Sequence, residues 1–166
     1  MQIIIVGCGN VGSTIVEKLS KEGHNITVID TKADAIKNIT INYDVMGMVG
    51  NGAGYSMQRD AGIEGADLMI AVTGSDELNL LCCLIAKKAG GCHTIARVRN
   101  PVYSREISFI KEELGLSMVI NPEDAAAMEI ARVLKFPSAI KIDTFAKGRI
   151  ELVKYRIEEG SFLCDK

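Results

Sequence analysis

The stretch Ile3-Ile-Ile-Val-Gly-Cys-Gly-Asn-Val-Gly-Ser13 decides the fold of this chain. Its aliphatic start is typical of a short, buried parallel strand. Three glycines at G-x-G-x-x-G spacing follow it: Gly7, Gly9 and Gly12. A helical pattern then runs to Gly23, and a second strand-like run, Asn25–Asp30, ends on a carboxylate 18 residues after the last glycine. Strand, glycine turn, helix and terminal acid together match the fingerprint of a dinucleotide-binding βαβ unit.

Each part of this fingerprint has a physical role in holding a nucleotide. Gly7 allows the tight turn, Gly9 lets pyrophosphate oxygens approach the backbone, and Gly12 lets the helix lie close to the sheet. The helix N-terminus beyond the turn offers unpaired N–H groups and a positive dipole end to phosphates. We therefore predict a nucleotide site, and the alternative is a doubly wound fold whose site has decayed.

The acid at the end of the second strand bears on which nucleotide is bound. Asp30 is placed to accept hydrogen bonds from ribose hydroxyls, and its charge repels a 2′-phosphate. NAD(H) or a plain adenosine nucleotide is therefore favoured over NADP(H). Lys32 either offsets part of this charge or is an ordinary solvated residue in the first turn of the next helix.

Length and composition narrow the class of protein. At 166 residues, with 48% hydrophobic residues, 5% aromatic residues and no tryptophan, the chain fits one aliphatic α/β domain with a small extension. A net charge of −2 and the lack of a basic run argue against nucleic-acid binding. There is no apolar run of a membrane span's length, and a first strand starting at residue 3 leaves no space for a signal peptide. We expect a cytoplasmic chain.

The five cysteines form no recognisable pattern. Their number is odd and no C-x-x-C occurs, so we expect neither a disulfide framework nor a zinc site. Cys8 lies between two glycines before a helix, and two interpretations remain open for it. It is either a redox-sensitive thiol of lowered pKa or a small side chain tolerated in a crowded turn.

The following segments repeat the alternation of strand and helix. Further strands are predicted at 45–49, 67–72, 94–98 and 117–120, and helices at 32–41, 56–61, 75–88 and 103–114. Parallel neighbours in a sheet need crossover connections, which helices supply. Six strands alternating with helices therefore predict an α/β fold, a doubly wound, Rossmann-like parallel sheet.

A helix of unusual composition is predicted after the sixth strand. Asn121-Pro-Glu-Asp124 supplies a cap, a proline at the first helical position and first-turn acids. In the body of the helix, 125–135, the polar residues Glu129, Arg132 and Lys135 form one thin stripe and the rest is apolar. Such a helix is expected to be covered on two sides, either by another subunit or by the chain's own tail.

The composition changes after this helix. Residues 139–145 and 150–157 alternate like half-exposed strands around Lys147-Gly148, which predicts a β-hairpin outside the sheet. We divide the chain into a nucleotide-binding domain, 1–136, and a hairpin extension, 137–166. Because a hairpin alone is marginally stable, the extension is expected to lead into a further subdomain.

In a doubly wound sheet, ligands bind outside the carboxyl ends of the strands. The residues at these positions form the predicted cofactor site: Gly7, Cys8, Gly9, Asn10, Val11, Gly12, Asp30, Thr31, Asn51, Gly52, Thr73, Gly74 and Arg97. Asn51 and Gly52 suit the edge of an adenine. Thr73 either contacts the far ribose or caps the following helix.

The sequence offers no group for catalysis beside a nicotinamide. A dehydrogenase needs a proton donor or acceptor there, but His24 and His93 fall at the wrong end of the predicted sheet and no Tyr-x-x-x-Lys pair occurs. We predict no catalytic residue and no metal site, and a nucleotide that is sensed rather than consumed. The alternatives are an NAD-dependent oxidoreductase fragment lacking its substrate domain, and a purely structural assembly module.

Further motifs carry a resemblance to a known family. They include Ala66-Asp-Leu-Met-Ile-Ala-Val-Thr-Gly-Ser-Asp-Glu-Leu-Asn-Leu80 and Ala96-Arg-Val-Arg99, which are more specific than the glycines. With 3–12, 28–30, 49–52 and 121–123, these segments resemble the nucleotide-binding half of TrkA-type regulators of potassium transport, the KTN or RCK family. The resemblance implies ligand contacts at 7–11, Asp30, Thr73, Gly74 and Arg97.

The resemblance also implies a function. It implies a cytosolic regulatory subunit, peripheral to the inner face of the membrane, that gates a potassium transporter subunit in response to bound nucleotide. It implies dimers that build larger rings, with the helix after Pro122 crossing between protomers and a C-terminal ligand-binding subdomain beyond it. Relatives that hold ATP through its terminal phosphate tend to carry arginine at the position of Asn10. This neutral side chain therefore favours NAD(H), with ATP or ADP as alternatives.

Overall fold

A computed structural model describes residues 1–135, 139–145 and 149–157 of the chain. Contacts between residues divide the chain into two compact units, Met1–Pro122 and Glu123–Lys166. The larger unit contains the whole parallel sheet, and the smaller unit contains most of the last helix and the hairpin.

A six-stranded parallel sheet forms the centre of the larger unit. Its strands are β1 (Gln2–Val6), β2 (Asn25–Asp30), β3 (Met46–Val49), β4 (Leu68–Ala71), β5 (His93–Arg97) and β6 (Met118–Ile120). They lie in the order β3-β2-β1-β4-β5-β6. Strands β1 to β3 are added toward one edge of the sheet and β4 to β6 toward the other. This switch between β1 and β4 places a crevice above the carboxyl ends of those two strands. The predicted doubly wound α/β fold is confirmed.

Helices connect the parallel strands and continue into the smaller unit. They are α1 (Asn10–Ser20), α2 (Ala33–Asn42), α3 (Tyr55–Asp60), α4 (Asp76–Ala89), α5 (Pro101–Arg105), α6 (Ile107–Glu113) and α7 (Pro122–Lys135). A short 3-10 helix at Ile63–Gly65 precedes β4.

Alternate residues of β1 supply the two faces of the core. Ile4 and Val6 pack in a cluster with Cys83 of α4. Ile3 and Ile5 pack in a second cluster with residues of α1 and α2. All four β1 side chains are at most 3% exposed. Burial on both faces explains why this strand is an unbroken aliphatic run in the sequence.

One predicted helix is divided in the structure. In place of a helix at 103–114, α5 begins at Pro101, where the Asn100 side chain accepts a hydrogen bond from the Val102 N–H at 3.0 Å. This cap and the proline after it set the earlier start. Glu106 then leaves the helical region with φ −105° and ψ 13°, and α6 follows. Nothing in the surrounding contacts explains the interruption.

The smaller unit contains the predicted hairpin. Strand β7 (Ala139–Phe145) pairs antiparallel with β8 (Ile150–Tyr155). The turn expected at Lys147-Gly148 lies outside the described residues. The Lys135 ammonium of α7 forms a 2.7 Å ion pair with the Glu151 carboxylate of β8.

The apolar residues of α7 are exposed in the single chain. Met128, Ile130, Val133 and Leu134 are 56–72% exposed, and none of the described residues of this helix is buried. The residues that the structure describes therefore leave the apolar side of α7 uncovered. That a second subunit or the chain's tail covers this helix stays a prediction. Within the described ranges, no helix has the length and apolar character to cross a membrane.

Candidate functional site

Two glycines in contact shape the turn between β1 and α1. Gly7 has φ 103°, a left-handed conformation that residues with a Cβ atom rarely adopt. A Cβ atom at Gly12 would overlap the Gly7 carbonyl oxygen, so α1 lies directly against the backbone of the turn. Gly7 also donates its N–H to the Ile29 carbonyl at 2.8 Å. The protein itself requires glycine at both positions, independently of any ligand.

Gly9 differs from its neighbours because its missing side chain leaves open space. A Cβ atom there would meet no protein atom within 4 Å. Gly9 is the N-cap residue of α1, and no side chain at that position caps the helix. The first N–H groups of α1 and the positive end of its dipole therefore border open space, an arrangement suited to an anion such as a phosphate.

The Asp30 carboxylate joins the end of β2 to the glycine turn. Its Oδ2 accepts a hydrogen bond from the Cys8 N–H at 2.7 Å, and its Oδ1 accepts one from the Lys32 N–H at 2.8 Å. Each carboxylate oxygen has two lone pairs, so each can accept a further hydrogen bond. Asp30 thus positions the turn and keeps acceptor capacity on its half-buried side chain.

The environment of Cys8 decides between its two interpretations. Burial raises the pKa of the Cys8 thiol to about 12, and the nearby negative charge of Asp30 acts in the same direction. A thiol that stays protonated at neutral pH is a poor nucleophile and a poor redox sensor. The structure favours the small side chain tolerated in a crowded turn over the redox-sensitive thiol.

A cleft of about 650 Å³ lies at the carboxyl ends of the strands. Twelve of the thirteen predicted residues line it: Gly7, Cys8, Gly9, Asn10, Val11, Asp30, Thr31, Asn51, Gly52, Thr73, Gly74 and Arg97. The thirteenth, Gly12, is buried beneath the turn. The cleft is also lined by residues outside this set of thirteen: Val6, Ile29, Lys32, Ala35, Gly50, Val72, Ser75 and Leu78. The structure thus places Lys32 at the cleft, on an exposed position beside Asp30.

The end of β3 contributes a fixed loop to the cleft. The Asn51 side-chain oxygen accepts a hydrogen bond from the Ala53 N–H at 3.0 Å, which closes a local turn. A Cβ atom at Gly52 would overlap the Val6 side chain. The glycine therefore lets this loop lie against β1 at the floor of the cleft.

A buried amide joins the ends of β4 and β5. Asn79 of α4 has no exposed surface. Its Oδ1 accepts hydrogen bonds from the Thr73 N–H at 2.8 Å and the Thr73 hydroxyl at 2.7 Å, and its Nδ2 donates to the Arg97 carbonyl at 2.9 Å. Ser75, rather than Thr73, caps α4, because its Oγ accepts from the Leu78 N–H. The capping interpretation of Thr73 is therefore wrong.

A buried carboxylate supports the loop after β5. Asp76, 7% exposed, accepts hydrogen bonds from the N–H groups of Arg99 and Asn100 at 2.8 and 2.7 Å. The Arg99 guanidinium in turn donates to the Gly74 carbonyl at 2.6 Å. Sequence reasoning assigned no role in the site to Asp76 or Asn79. The sequence contains one signal that could have indicated these roles: Asp76 and Asn79 are the polar residues on the buried face of α4, which is otherwise apolar.

The groups that line the cleft are suited to binding an anionic ligand. The cleft offers backbone donors at α1, a carboxylate at β2 and a guanidinium at β5. His93 lies at the amino end of β5, where its ring contacts the Ser117 hydroxyl at 3.1 Å, and His24 precedes β2. In the part of the chain that the structure describes, no group of three or more His, Cys, Asp or Glu side chains is placed to hold a metal ion.

The strand order, the glycine turn and the acid at the end of β2 define a Rossmann-like nucleotide-binding fold. The model of the TrkA-N domain family matches residues 3–122, so the chain belongs to that family.

Sequence and structure comparisons agree with this assignment. The chain is 37% identical over 161 residues to the Trk system potassium uptake protein TrkA homolog of Archaeoglobus fulgidus, covering 97% of this chain and 36% of that protein. It thus spans about a third of that relative's length. The TrkA-N domain of inner membrane protein YbaL from Escherichia coli matches with a TM-score of 0.71 and 25% identity, over 80% of this chain and 96% of that one.

A more distant solved structure shares the fold. The GsuK channel bound to NAD matches with a TM-score of 0.61 and 21% identity, over 72% of this chain and 21% of the channel. This likeness concerns the architecture of the sheet and its helices.

Proposed function

We propose that the chain binds NAD(H) in the cleft and is the nucleotide-binding part of a cytoplasmic regulatory subunit that gates a membrane potassium transporter. The observation that carries the proposal is the bond between Asp30 and the glycine turn within one cleft of a TrkA-N domain. On this proposal, 1–136 recognises the nucleotide, and 137–166 leads into a further subdomain of the whole protein.

Each end of the cleft takes a different part of the ligand. The Asp30 oxygens accept hydrogen bonds from the adenosine ribose, and the diphosphate lies over the open space at Gly9 against the N–H groups of α1. The second half of the dinucleotide extends toward Thr73 and Arg97. A volume of about 650 Å³ is within the ordinary range for cofactor sites.

The charges around the cleft favour NAD(H) over the alternatives. The Asp30 carboxylate disfavours the 2′-phosphate of NADP(H). Asn10 places a neutral side chain on the turn, which leaves the terminal phosphate of ATP without a cation at that position. ATP and ADP remain the alternatives. The GsuK channel, which shares the fold, has been solved with NAD bound.

Gating follows from a difference in affinity between conformations. A ligand shifts a conformational equilibrium only as far as its affinities for the two states differ. A tenfold difference supplies about 1.4 kcal/mol per site, and several sites in an oligomer add. The exposed apolar side chains of α7 support assembly with a second copy of the chain, in which the helix crosses between protomers.

Thermal unfolding with added nucleotides tests the proposal. NAD or NADH at 100 times its dissociation constant stabilises the folded state by about 2.7 kcal/mol, which raises the melting temperature by roughly 5–10 °C. The Asp30→Ala variant is expected to lose most of this shift. The matched control is Asp34→Ala, because Asp34 is an exposed acid in the first turn of α2 that does not line the cleft.

Two results would contradict the proposal. One is a melting temperature that does not respond to millimolar NAD, NADH, ATP or ADP. The other is an equal loss of the shift in both acid variants. For the gating step, potassium uptake is measured in cells that carry the full-length protein with and without the Asp30 substitution. Equal rates of potassium uptake with and without the substitution would contradict the proposal that bound nucleotide gates the transporter.

A further inference from the structure

The ends of β4 and β5 form the half of the cleft that lies away from Asp30. In this half, backbone groups decide which side-chain atoms donate hydrogen bonds and which accept them. A backbone N–H can only donate and a carbonyl can only accept, so these groups determine which way a neighbouring amide is turned. Asn79 lies between one group of each kind. It contacts the Thr73 N–H at 2.8 Å and the Arg97 carbonyl at 2.9 Å.

The first consequence concerns the amide itself. The Asn79 atom that faces the Thr73 N–H must be the oxygen, and the atom that faces the Arg97 carbonyl must be the nitrogen. The reverse orientation would set two donors together and two acceptors together inside a site with no access to water. The amide therefore has one stable orientation.

The second consequence concerns the Thr73 hydroxyl. Its oxygen lies 2.7 Å from the Asn79 Oδ1, which is an acceptor only and the nearer of two acceptors, so the hydroxyl donates its single proton there. The other acceptor within reach is the protein's own Ser75 carbonyl at 3.2 Å. One lone pair of the hydroxyl accepts from the Ser75 N–H at 3.3 Å. One lone pair of the Thr73 hydroxyl therefore remains to accept a hydrogen bond from a ligand.

We infer that Asn79 is a positioning residue that holds the Thr73 hydroxyl as a hydrogen-bond acceptor, so that this half of the cleft selects ligands with a donor group beyond the diphosphate. Ribose hydroxyls are such donors. An ionised terminal phosphate has only acceptor oxygens. It cannot form a hydrogen bond with the Thr73 hydroxyl, whose remaining lone pair is also an acceptor. The inference rests on the proposed nucleotide binding, and it adds a reason why a ligand with a second ribose is preferred.

Titration calorimetry with ADP and ADP-ribose isolates this contact. The two ligands share the adenosine and the diphosphate, and only ADP-ribose carries a second ribose. We expect the wild type to bind ADP-ribose about five- to tenfold more tightly than ADP, the range of one net hydrogen bond. Thr73→Val removes the acceptor and is expected to make the affinities for ADP-ribose and ADP equal. Thr73→Ser, which keeps the hydroxyl, is expected to retain the preference for ADP-ribose.

Asn79→Ala tests the positioning role directly. Without the amide oxygen, the Thr73 hydroxyl loses its nearest acceptor, and its proton is shared between the Ser75 carbonyl and the ligand. The ratio of ADP-ribose affinity to ADP affinity is therefore expected to fall. If Thr73→Val leaves the margin of ADP-ribose over ADP intact, or weakens both ligands equally, the inference alone is overturned. If the wild type binds neither ligand, the proposed function fails and this inference fails with it.

Discussion

The Cys8 N–H donates a hydrogen bond to the Asp30 carboxylate at 2.7 Å, across 22 residues of sequence. This bond ties the glycine turn after β1 to the end of β2 through protein atoms alone. A turn held by the protein's own hydrogen bonds has less freedom to lose on binding, which lowers the entropic cost of binding. The same carboxylate fixes the start of α2 through the Lys32 N–H.

Neutralising this acid is expected to change nucleotide preference as well as affinity. In Asp30→Asn the negative charge is lost, and one of the two side-chain atoms becomes a donor that opposes a backbone N–H. We expect NAD affinity to fall about tenfold and the discrimination against NADP to narrow by a similar factor. Titration calorimetry with both cofactors measures the ratio. An unchanged ratio of NADP to NAD affinity would show that the carboxylate does not meet the ribose.

Replacing Gly12 by alanine is expected to lower the stability of the fold, and replacing Gly9 by alanine is expected to lower nucleotide affinity. Gly12→Ala sets a methyl group against the Gly7 carbonyl and is expected to destabilise the fold by about 1–3 kcal/mol or more. Gly9→Ala has room for the methyl group, since Gly9 has φ −69°, but that group occupies the space proposed for the diphosphate. Denaturant unfolding and NAD titration of both variants separate the effects. Equal stability of the two variants would refute this account.

The two acids at the start of α4 form a second matched pair. Asp76 and Glu77 both lie in the first turn of α4 and share the favourable interaction with the helix dipole. Only Asp76 also accepts the N–H groups of Arg99 and Asn100. We expect Asp76→Ala to lower the free energy of unfolding by about 2–4 kcal/mol. Glu77→Ala is expected to lower it less, because the hydrogen bonds that Glu77 accepts from Ser75 and Tyr103 are exposed to water. Similar losses in urea unfolding would exclude a special role for Asp76.

Alkaline pH is expected to destabilise the protein through its buried thiols. Burial raises the pKa of Cys82 from 9.0 to about 12. A folded-state pKa above the unfolded value gives stability that is complete below pH 9 and is lost as pH rises toward 12. The thiol of Cys82 alone is expected to cost about 1 kcal/mol at pH 10. The melting temperature of Cys82→Ala should fall less steeply between pH 9 and 11 than that of the wild type, and parallel curves would contradict this.

The sheet could be predicted because local patterns and chain connectivity determine it. The aliphatic run of β1, the glycine turn and the alternation of strand and helix limit the topology to a doubly wound sheet. The same rule places the carboxyl ends of the strands at one edge. For this reason residues as far apart in sequence as Gly7, Asp30, Thr73 and Arg97 could be assigned to one cleft before the structure was known.

The hydrogen bonds inside the site could not be predicted in this way. Asn79 and Asp76 bond to backbone groups of β5 and its following loop, and backbone groups carry no sequence signature. The bond from Cys8 to Asp30 is hidden for the same reason, since a carboxylate at a strand end suits a ribose equally well. The interruption at Glu106 has no local signal, because Glu is a good helix former.

All residues that line the cleft lie between Val6 and Arg97, upstream of the exposed apolar helix α7. Substitutions in the cleft and substitutions on the apolar face of α7 therefore fall on separate stretches of the gene. A rearrangement that replaces the coding sequence after Arg97 leaves every residue that lines the cleft in place.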